Sequence, residues 1–187
     1  MNSKKPAGNA VNEAVICAGF GGQGIMTLGK VLAHAGMMNG FNVTWLPCYG
    51  AEVRGGTAHA MVRISSAPVI SPMIYKPDTV IIMNGPSLDK FEGELSSGGL
   101  LILNSSMAAR KPERKDIEVI SAPFTEEAIK TGNVKVANMI AAAVFAVKKN
   151  ICDKEILFEV IKKMAGDRKS IIDINIKAVE RGFDLAV

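Results

Sequence analysis

Four glycines within six positions follow a short apolar run near the start of the sequence, and they form the first candidate for chemistry. They are Gly19, Gly21, Gly22 and Gly24, with Gln23 as the polar residue among them. Glycine permits positive φ and close approach of a ligand, and the N–H groups that open a following helix attract anions. The run therefore predicts either a cradle for a phosphate or other anion, or a structural strand-to-helix turn.

The spacing Gly19-x-Gly21-x-x-Gly24 also matches the dinucleotide-binding fingerprint. That fingerprint requires an acidic residue about 20 positions later, at the end of the second strand, to bind the ribose. Residues 43–47 read Val-Thr-Trp-Leu-Pro and contain no carboxylate. We therefore expect that the chain does not bind NAD(H) tightly.

A second polar group lies between two predicted strands. It comprises Tyr49, Glu52, Arg54, Gly55 and Gly56. An arginine beside two glycines can offer a guanidinium fork and free backbone N–H groups to a phosphate or carboxylate. A charged pair in a loop is also commonly a solvated salt bridge, so both interpretations stay open.

Small polar residues follow two later apolar runs. Asn84 comes directly after residues 79–83, and Asn104 and Ser105 come directly after residues 100–103. Because the carboxyl ends of parallel strands open onto a crevice, we expect these residues to converge with the glycine run on one edge of a sheet. The hairpin that holds the second polar group could reach this edge or the opposite one.

No catalytic signature accompanies these groups. The sequence contains no His-x-x-x-His pair, no Gly-x-x-x-x-Gly-Lys-Ser/Thr loop and no recognisable pairing of a nucleophile with its base. Cys17, Cys48 and Cys152 stand far apart without Cys-x-x-Cys spacing, so we expect no iron–sulfur cluster and no metal site on this chain. These features argue against an enzyme that is active alone.

The elements that must position these residues alternate between strands and helices. Strands are predicted near residues 14–18, 42–46, 57–64, 79–83, 100–103 and 117–120, and helices near 25–36, after 87, from 125, over 136–147, over 153–164 and from 167 or 170 to 186. The second and third strands should be antiparallel neighbours because too few residues join them for a helical crossover. This pattern predicts a three-layer α/β/α fold with a mixed, mostly parallel sheet and a Rossmann-like glycine turn after the first strand.

Length and composition bound the remaining possibilities. The 187 residues fit one domain over residues 13–187 after a loose tail over residues 1–12. The net charge of +4 is scattered without interleaved aromatic residues, so no nucleic-acid partner is expected. The N-terminus lacks the apolar core of a signal peptide, and the longest apolar run, residues 139–147, is too short to span a membrane. We therefore expect a cytoplasmic protein.

Five segments, in order, resemble the gamma subunit of 2-oxoacid:ferredoxin oxidoreductases, with the 2-oxoglutarate and 2-ketoisovalerate types as the nearest. They are residues 19–24 (Gly-Phe-Gly-Gly-Gln-Gly), 47–58, 83–91, 98–106 and 132–139. The related domain also occurs in the pyruvate and indolepyruvate enzymes. Cys48 stands where a serine or another small residue is expected, and it keeps a small side chain there.

The resemblance implies a function for the whole assembly. A 2-oxoacid, coenzyme A and oxidised ferredoxin would be converted into acyl-CoA, carbon dioxide and reduced ferredoxin. Thiamine diphosphate and the iron–sulfur clusters would lie on partner subunits, namely alpha, beta and a ferredoxin-like delta subunit. This chain would be a scaffold that also contributes to coenzyme A binding; the alternative is a free-standing nucleotide- or phosphate-binding regulatory protein.

Composition also suggests how the chain assembles. Its ten methionines, several near predicted turns, suit adaptable contact surfaces, although ordinary core positions explain each of them equally well. We expect a homo-oligomer or aggregation when the chain is made alone, and a stable complex when its partner subunits are present.

Overall fold

A computed structural model of the chain describes residues 10–49 and 57–186. Its centre is a six-stranded sheet in the order β2-β3-β1-β4-β5-β6. The strands are β1 (Asn12–Phe20), β2 (Asn42–Tyr49), β3 (Thr57–Ser65), β4 (Thr79–Ile82), β5 (Leu100–Asn104) and β6 (Glu118–Ala122). Only β3 runs against its neighbours, and β1, β4, β5 and β6 pair in parallel. The predicted mixed, mostly parallel sheet and the antiparallel pairing of β2 with β3 are confirmed.

Helices cover the two faces of this sheet unequally. They are α1 (Ile25–Met38), α2 (Gly85–Phe91), α3 (Phe124–Lys130), α4 (Ala137–Lys148), α5 (Lys154–Ala165) and α6 (Lys169–Leu185). The larger core joins α1, α4, α5 and α6 to one face of the sheet, and the smaller core joins α2 and Ile74 to the other face. The predicted α/β/α layering is therefore confirmed, with one thick and one thin helical layer.

Burial explains why the sequence forms these central elements. In β1, Val15 and Cys17 belong to the larger core, whereas Ile16 and Ala18 belong to the smaller one, so a continuous apolar run is required. Helix α4 is buried along residues 137–146, which explains its alanine-rich sequence without a polar face. No helix in the described part of the chain has the length and apolar character needed to cross a membrane.

Element boundaries differ from the sequence predictions in a few places. Strand β1 extends from Asn12 to Phe20, so Gly19 belongs to the strand and not to the turn, because β3 pairs with β1 along its full length. Residues 1–9 of the predicted tail lie outside the described residues. Asp153 occupies the N-cap position of α5 as predicted, but its side chain makes no capping hydrogen bond. Helix α6 begins at Lys169, between the two predicted starting points.

Close packing of α4 against α6 yields the first prediction. A Cβ atom at Gly182 would lie 2.5 Å from both the Cβ of Ala143 and the carbonyl oxygen of Ile140, so Gly182→Ala must push the two helices apart. We expect the free energy of unfolding to fall by about 1–3 kcal/mol, the usual cost of overpacking a core. Thermal or denaturant unfolding measures this change.

A matched substitution provides the control for this packing prediction. A Cβ atom at Gly93 would have no neighbour within 4 Å, so Gly93→Ala should leave the unfolding midpoint nearly unchanged. Equal midpoints for the Gly182 and Gly93 variants would show that the helices adjust without cost.

Candidate functional site

The predicted site residues come together at the carboxyl edge of the sheet. Register places Ala18 of β1 beside Ile82 of β4, and Ile82 beside Leu103 of β5. The glycine turn (residues 21–24), Asn84 and Asn104 therefore follow three parallel, neighbouring strands at the same edge. We call this edge the carboxyl edge.

The hairpin between β2 and β3 also opens at the carboxyl edge. Strand β3 reverses between β1 and β2, and the residues opposite Gly19 are Ala58 of β3 and then Tyr49 of β2. Tyr49 and Thr57, the described residues on either side of positions 50–56, are therefore level with the glycine turn, and Tyr49 is 71% exposed there. The predicted residues Glu52, Arg54, Gly55 and Gly56 lie outside the described residues.

Backbone conformation explains the glycines of the turn. Gly22 has a φ of 100°, and Gly24, the N-cap residue of α1, has a φ of 72°. The Asn138 side chain occupies the space that a Cβ atom at Gly24 would need, and it donates a hydrogen bond to the Gly24 carbonyl at 3.1 Å. The start of α1 is thus fixed by a residue of α4.

Gln23 joins the turn to the end of β4. Its side-chain oxygen accepts hydrogen bonds from the Phe20 N–H at 2.7 Å and from the Asn84 amide at 3.1 Å. Its side-chain nitrogen donates to the Met83 carbonyl at 3.0 Å. All three hydrogen bonds of the Gln23 side chain are made to other residues of the chain. They join the glycine turn to Met83 and Asn84, the residues that follow β4, and so fix the spacing between the ends of β1 and β4.

The two asparagines at the strand ends are structural in this geometry. Both have side chains with no exposed surface. Asn84 caps α2 by accepting a hydrogen bond from the Ser87 N–H at 2.9 Å. Asn104 bonds to both the hydroxyl and the N–H of Thr125, at 2.8 and 3.2 Å, and therefore orients α3. Ser105, in contrast, is exposed at the start of a short 3-10 helix (Ser105–Met107).

Two cavities flank the glycine turn. The larger has a volume of about 420 Å³; apolar side chains, which we call its floor, line part of it, and Thr27, Arg168 and three asparagines also line it. The floor residues are Val31, Val136, Met139, Ile161, Met164 and Ile174. The smaller has a volume of about 190 Å³ and lies beside Gln23 and Met83. Gly22 and Lys135 line both cavities.

The carboxyl edge can attract an anion. No side chain caps the N-terminus of α1, and the first turn of this helix carries no acidic residue, so its N–H groups are available to a ligand. Lys135 is exposed beside them and forms no ion pair with any described residue. Lys135 was not among the site residues predicted from the sequence. Gly132 and Asn133 mark the turn that precedes it. The Asn133 side chain accepts a hydrogen bond from the Lys135 N–H.

Burial shifts the pKa values of two thiols and one imidazole in the described part of the chain. Burial raises the pKa of Cys17 far above its usual value, and burial together with the Asp153 charge raises the pKa of Cys152 to about 12. Burial and then the charge of Lys90 lower the pKa of His59, which keeps this imidazole neutral. Among residues 10–49 and 57–186, no cluster of three or more His, Cys, Asp or Glu side chains could hold a metal ion.

The hydrogen bonds of Gln23 lead to the second prediction. Gln23→Leu keeps a similar volume but leaves the Phe20 N–H and the Asn84 amide without their acceptor. We expect the free energy of unfolding to fall by about 1–3 kcal/mol. Amide hydrogen exchange across residues 20–26 should accelerate at least about tenfold, because the turn is no longer tied to β4.

Asn39→Ala is the control, since the Asn39 amide donates to the Ile151 carbonyl at the other end of α1. This variant should lose stability without faster exchange across residues 20–26. Unchanged exchange in Gln23→Leu would contradict the assigned role of Gln23.

Comparison with known proteins extends these observations. The sequence profile of the pyruvate ferredoxin/flavodoxin oxidoreductase family matches residues 14–185. The chain is 35% identical over 170 residues to ketoisovalerate oxidoreductase subunit VorA of Methanothermobacter thermautotrophicus, covering 90% of this chain and 35% of that subunit. It is 28% identical over 174 residues to 2-oxoglutarate synthase subunit KorC of Methanocaldococcus jannaschii, covering 90% and 91% of the two chains.

A solved structure shows the same fold. The 2-oxoglutarate:ferredoxin oxidoreductase from Magnetococcus marinus, with 2-oxoglutarate, coenzyme A and succinyl-CoA bound, superposes with a TM-score of 0.85 at 23% identity. The superposition covers 94% of this chain and 31% of that chain. The chain thus spans about a third of the length of VorA and of this structural neighbour, and nearly all of KorC. Since the profile match extends from the first residues of β1 to the end of α6, the chain belongs to the pyruvate ferredoxin/flavodoxin oxidoreductase family.

Proposed function

We propose that this chain is the gamma subunit of a 2-oxoacid:ferredoxin oxidoreductase and is inactive alone. The family match over residues 14–185 is the observation that carries the proposal. Relatives of similar length are named as subunits, for example the KorC subunit of 2-oxoglutarate synthase in Methanocaldococcus jannaschii. Such names favour a subunit over the alternative of a free-standing nucleotide- or phosphate-binding regulatory protein.

Partner subunits would supply the remaining chemistry. We assign thiamine diphosphate and the iron–sulfur clusters to alpha, beta and ferredoxin-like delta subunits, with soluble ferredoxin as the electron acceptor of the cytoplasmic complex. The wide sequence spacing of Cys17, Cys48 and Cys152 supports this division, because an iron–sulfur cluster needs several cysteine ligands close together. The role left to this chain is to hold the assembly together and to help bind coenzyme A.

Reconstitution tests this function and gives the third prediction. The chain is coexpressed with the thiamine-dependent and ferredoxin-like subunits from the same genome, and ferredoxin reduction is followed with 2-oxoglutarate, 2-ketoisovalerate and pyruvate. We expect reduction that requires coenzyme A and is lost when this chain is omitted. A complex that turns over equally well without the chain would refute the proposal.

The carboxyl edge supports coenzyme A binding by its chemistry. Coenzyme A carries a diphosphate and a 3′-phosphate, which require backbone N–H donors and fixed cations. The uncapped start of α1 and Lys135 would receive a phosphate group, and the pantetheine arm would lie in the 420 Å³ cavity with its apolar floor. Gly21 and Gly22 are exposed beside that helix start, so a ligand can approach their backbone closely.

Arg54 is a second cation proposed for this edge. In sequence it lies between Tyr49 and Thr57, and both of these residues lie at the carboxyl edge. Arg54 would pair with a phosphate of coenzyme A, with Gly55 and Gly56 offering N–H groups, or it would pair with Glu52 at the contact with the catalytic subunits. These two roles differ in what their loss would change.

The fourth prediction separates the two roles of Arg54. In the reconstituted complex, Arg54→Ala and Lys135→Ala should each raise the KM for coenzyme A about ten- to hundredfold, because a charge-assisted hydrogen bond contributes about 1.5–3 kcal/mol. If Arg54 acts at the subunit contact, Arg54→Ala instead weakens assembly in size-exclusion chromatography.

Lys115→Ala serves as the control because Lys115 is exposed near the opposite edge of the sheet, beside Asp116, whose carbonyl bonds to Gly98. It should change neither property. Normal assembly together with an unchanged coenzyme A dependence in the Arg54 variant would remove both roles of that residue.

A further inference from the structure

The connection between β3 and β4 exposes an unusual amount of apolar surface. We call residues 66–78 the apolar connector. It leaves β3 after Ser65 and enters β4 at Thr79, so it lies at the amino edge of the sheet, opposite the glycine turn. Ile70 is fully exposed, Tyr75 is 80% exposed and Met73 is 38% exposed. Clustered exposed side chains of this size mark interaction surfaces in folded proteins.

The apolar connector is held in one conformation by the sheet beneath it. Ile74 is buried in the smaller core, and its N–H donates to the sulfur of Met61 at 3.4 Å. The Arg63 guanidinium donates to the Met73 carbonyl at 3.0 Å through Nη2. At the far end, the Asp78 N–H donates to the Ala14 carbonyl at 2.8 Å. A surface fixed in this way loses little conformational entropy when a partner binds.

A cavity of mixed lining adjoins the exposed apolar side chains. It has a volume of about 290 Å³, and its lining combines the polar residues Asn12, Arg63, Ser65 and Ser71 with the apolar residues Pro68, Val69 and Ile70. Arg63 forms no ion pair with any described residue, and its Nε has no hydrogen-bond acceptor within the described chain. An unpaired guanidinium among serine and asparagine side chains is suited to receive a carboxylate.

We propose that the apolar connector is the docking surface for another subunit of the complex, which covers Ile70 and Tyr75 with apolar side chains and places an Asp or Glu carboxylate against Arg63. The inference rests on the proposed function for the identity of the partner. Its chemistry, apolar groups around one acidic group, follows from charge and shape complementarity at this surface.

Charge argues against a second copy of the chain as the occupant. A twofold dimer would bring the same patch from each copy face to face. Residues 66–77 contain no Asp or Glu, and the Asp78 carboxylate already accepts a hydrogen bond from the Ala14 N–H at 3.0 Å, so the facing patch would offer Arg63 only cations and no free carboxylate. A different chain with an acidic residue satisfies the surface without this conflict.

Binding of defined variants to the copurified partner subunits tests the inference and gives the fifth prediction. Ile70→Glu adds a charge where the apolar contact is expected, and Arg63→Met removes the guanidinium but keeps an apolar stem. Each should raise the dissociation constant for the partner subunits at least about tenfold, and Arg63→Glu should raise it further because two carboxylates would face each other. Biolayer interferometry measures the constants.

The control is Ile129→Glu, since Ile129 is 59% exposed on α3, away from the apolar connector. It should bind as the wild type does. Because Ile70 is fully exposed, Ile70→Glu should also keep the wild-type melting temperature, which separates lost binding from lost folding.

The outcomes distinguish this inference from the proposed function. If the wild type binds the partner subunits and the Ile70 and Arg63 variants bind equally well, the docking surface is refuted while the subunit role stands. If the variants instead abolish self-association in analytical ultracentrifugation and leave partner binding intact, the occupant is a second copy and the inference is wrong. If the wild type binds none of the subunits, the proposed function itself fails.

Discussion

The carbonyl oxygen of Met83 organises the carboxyl edge. It accepts hydrogen bonds from the side-chain amides of Gln23 and Asn104, at 3.0 and 3.4 Å. Through these two bonds the end of β4 is tied to the glycine turn after β1 and to the start of α3. A backbone carbonyl at the end of a short strand would otherwise need a hydrogen bond from water. The two side-chain amides supply this hydrogen bond and also fix the geometry of the crevice. The geometry of any anion site at the start of α1 depends on this arrangement.

A single reversed strand decides which connections reach which edge. Because β3 runs antiparallel between β1 and β2, the β2–β3 segment opens at the carboxyl edge and the β3–β4 connector lies at the amino edge. A parallel β3 would have required crossover connections over a face of the sheet both before and after β3. The reversal therefore lets β3 connect to β4 along the amino edge without a helix.

Much of the architecture could be predicted because its causes are local. Continuous apolar runs such as Val80–Met83 are typical of strands buried on both faces, and the alanine-rich α4 could only be a buried helix. The roles of Asn84 and Asn104 could not be read in the same way, because a polar residue at a strand end looks the same whether it binds a ligand or caps a helix. Gln23 bonds to Met83, 60 positions away, and no sequence pattern marks that pair.

The exposed side chains of the apolar connector also could not be predicted from the sequence. Residues 68–74 contain two prolines, Pro68 and Pro72, and alternate poorly, so the sequence indicates an edge or a connector but not which side chains are exposed. Apolar residues are buried by default in such reasoning, and only the position of Ile74 in the smaller core reveals that Ile70 and Tyr75 face outward. Ile74 is buried while Ile70 and Tyr75, on either side of it in sequence, are exposed. Because Ile74 fixes the connector on the sheet, the two exposed side chains cannot pack onto the sheet themselves. Their apolar surface can then be removed from water only by another molecule, and this requirement separates a docking surface from an incompletely packed loop.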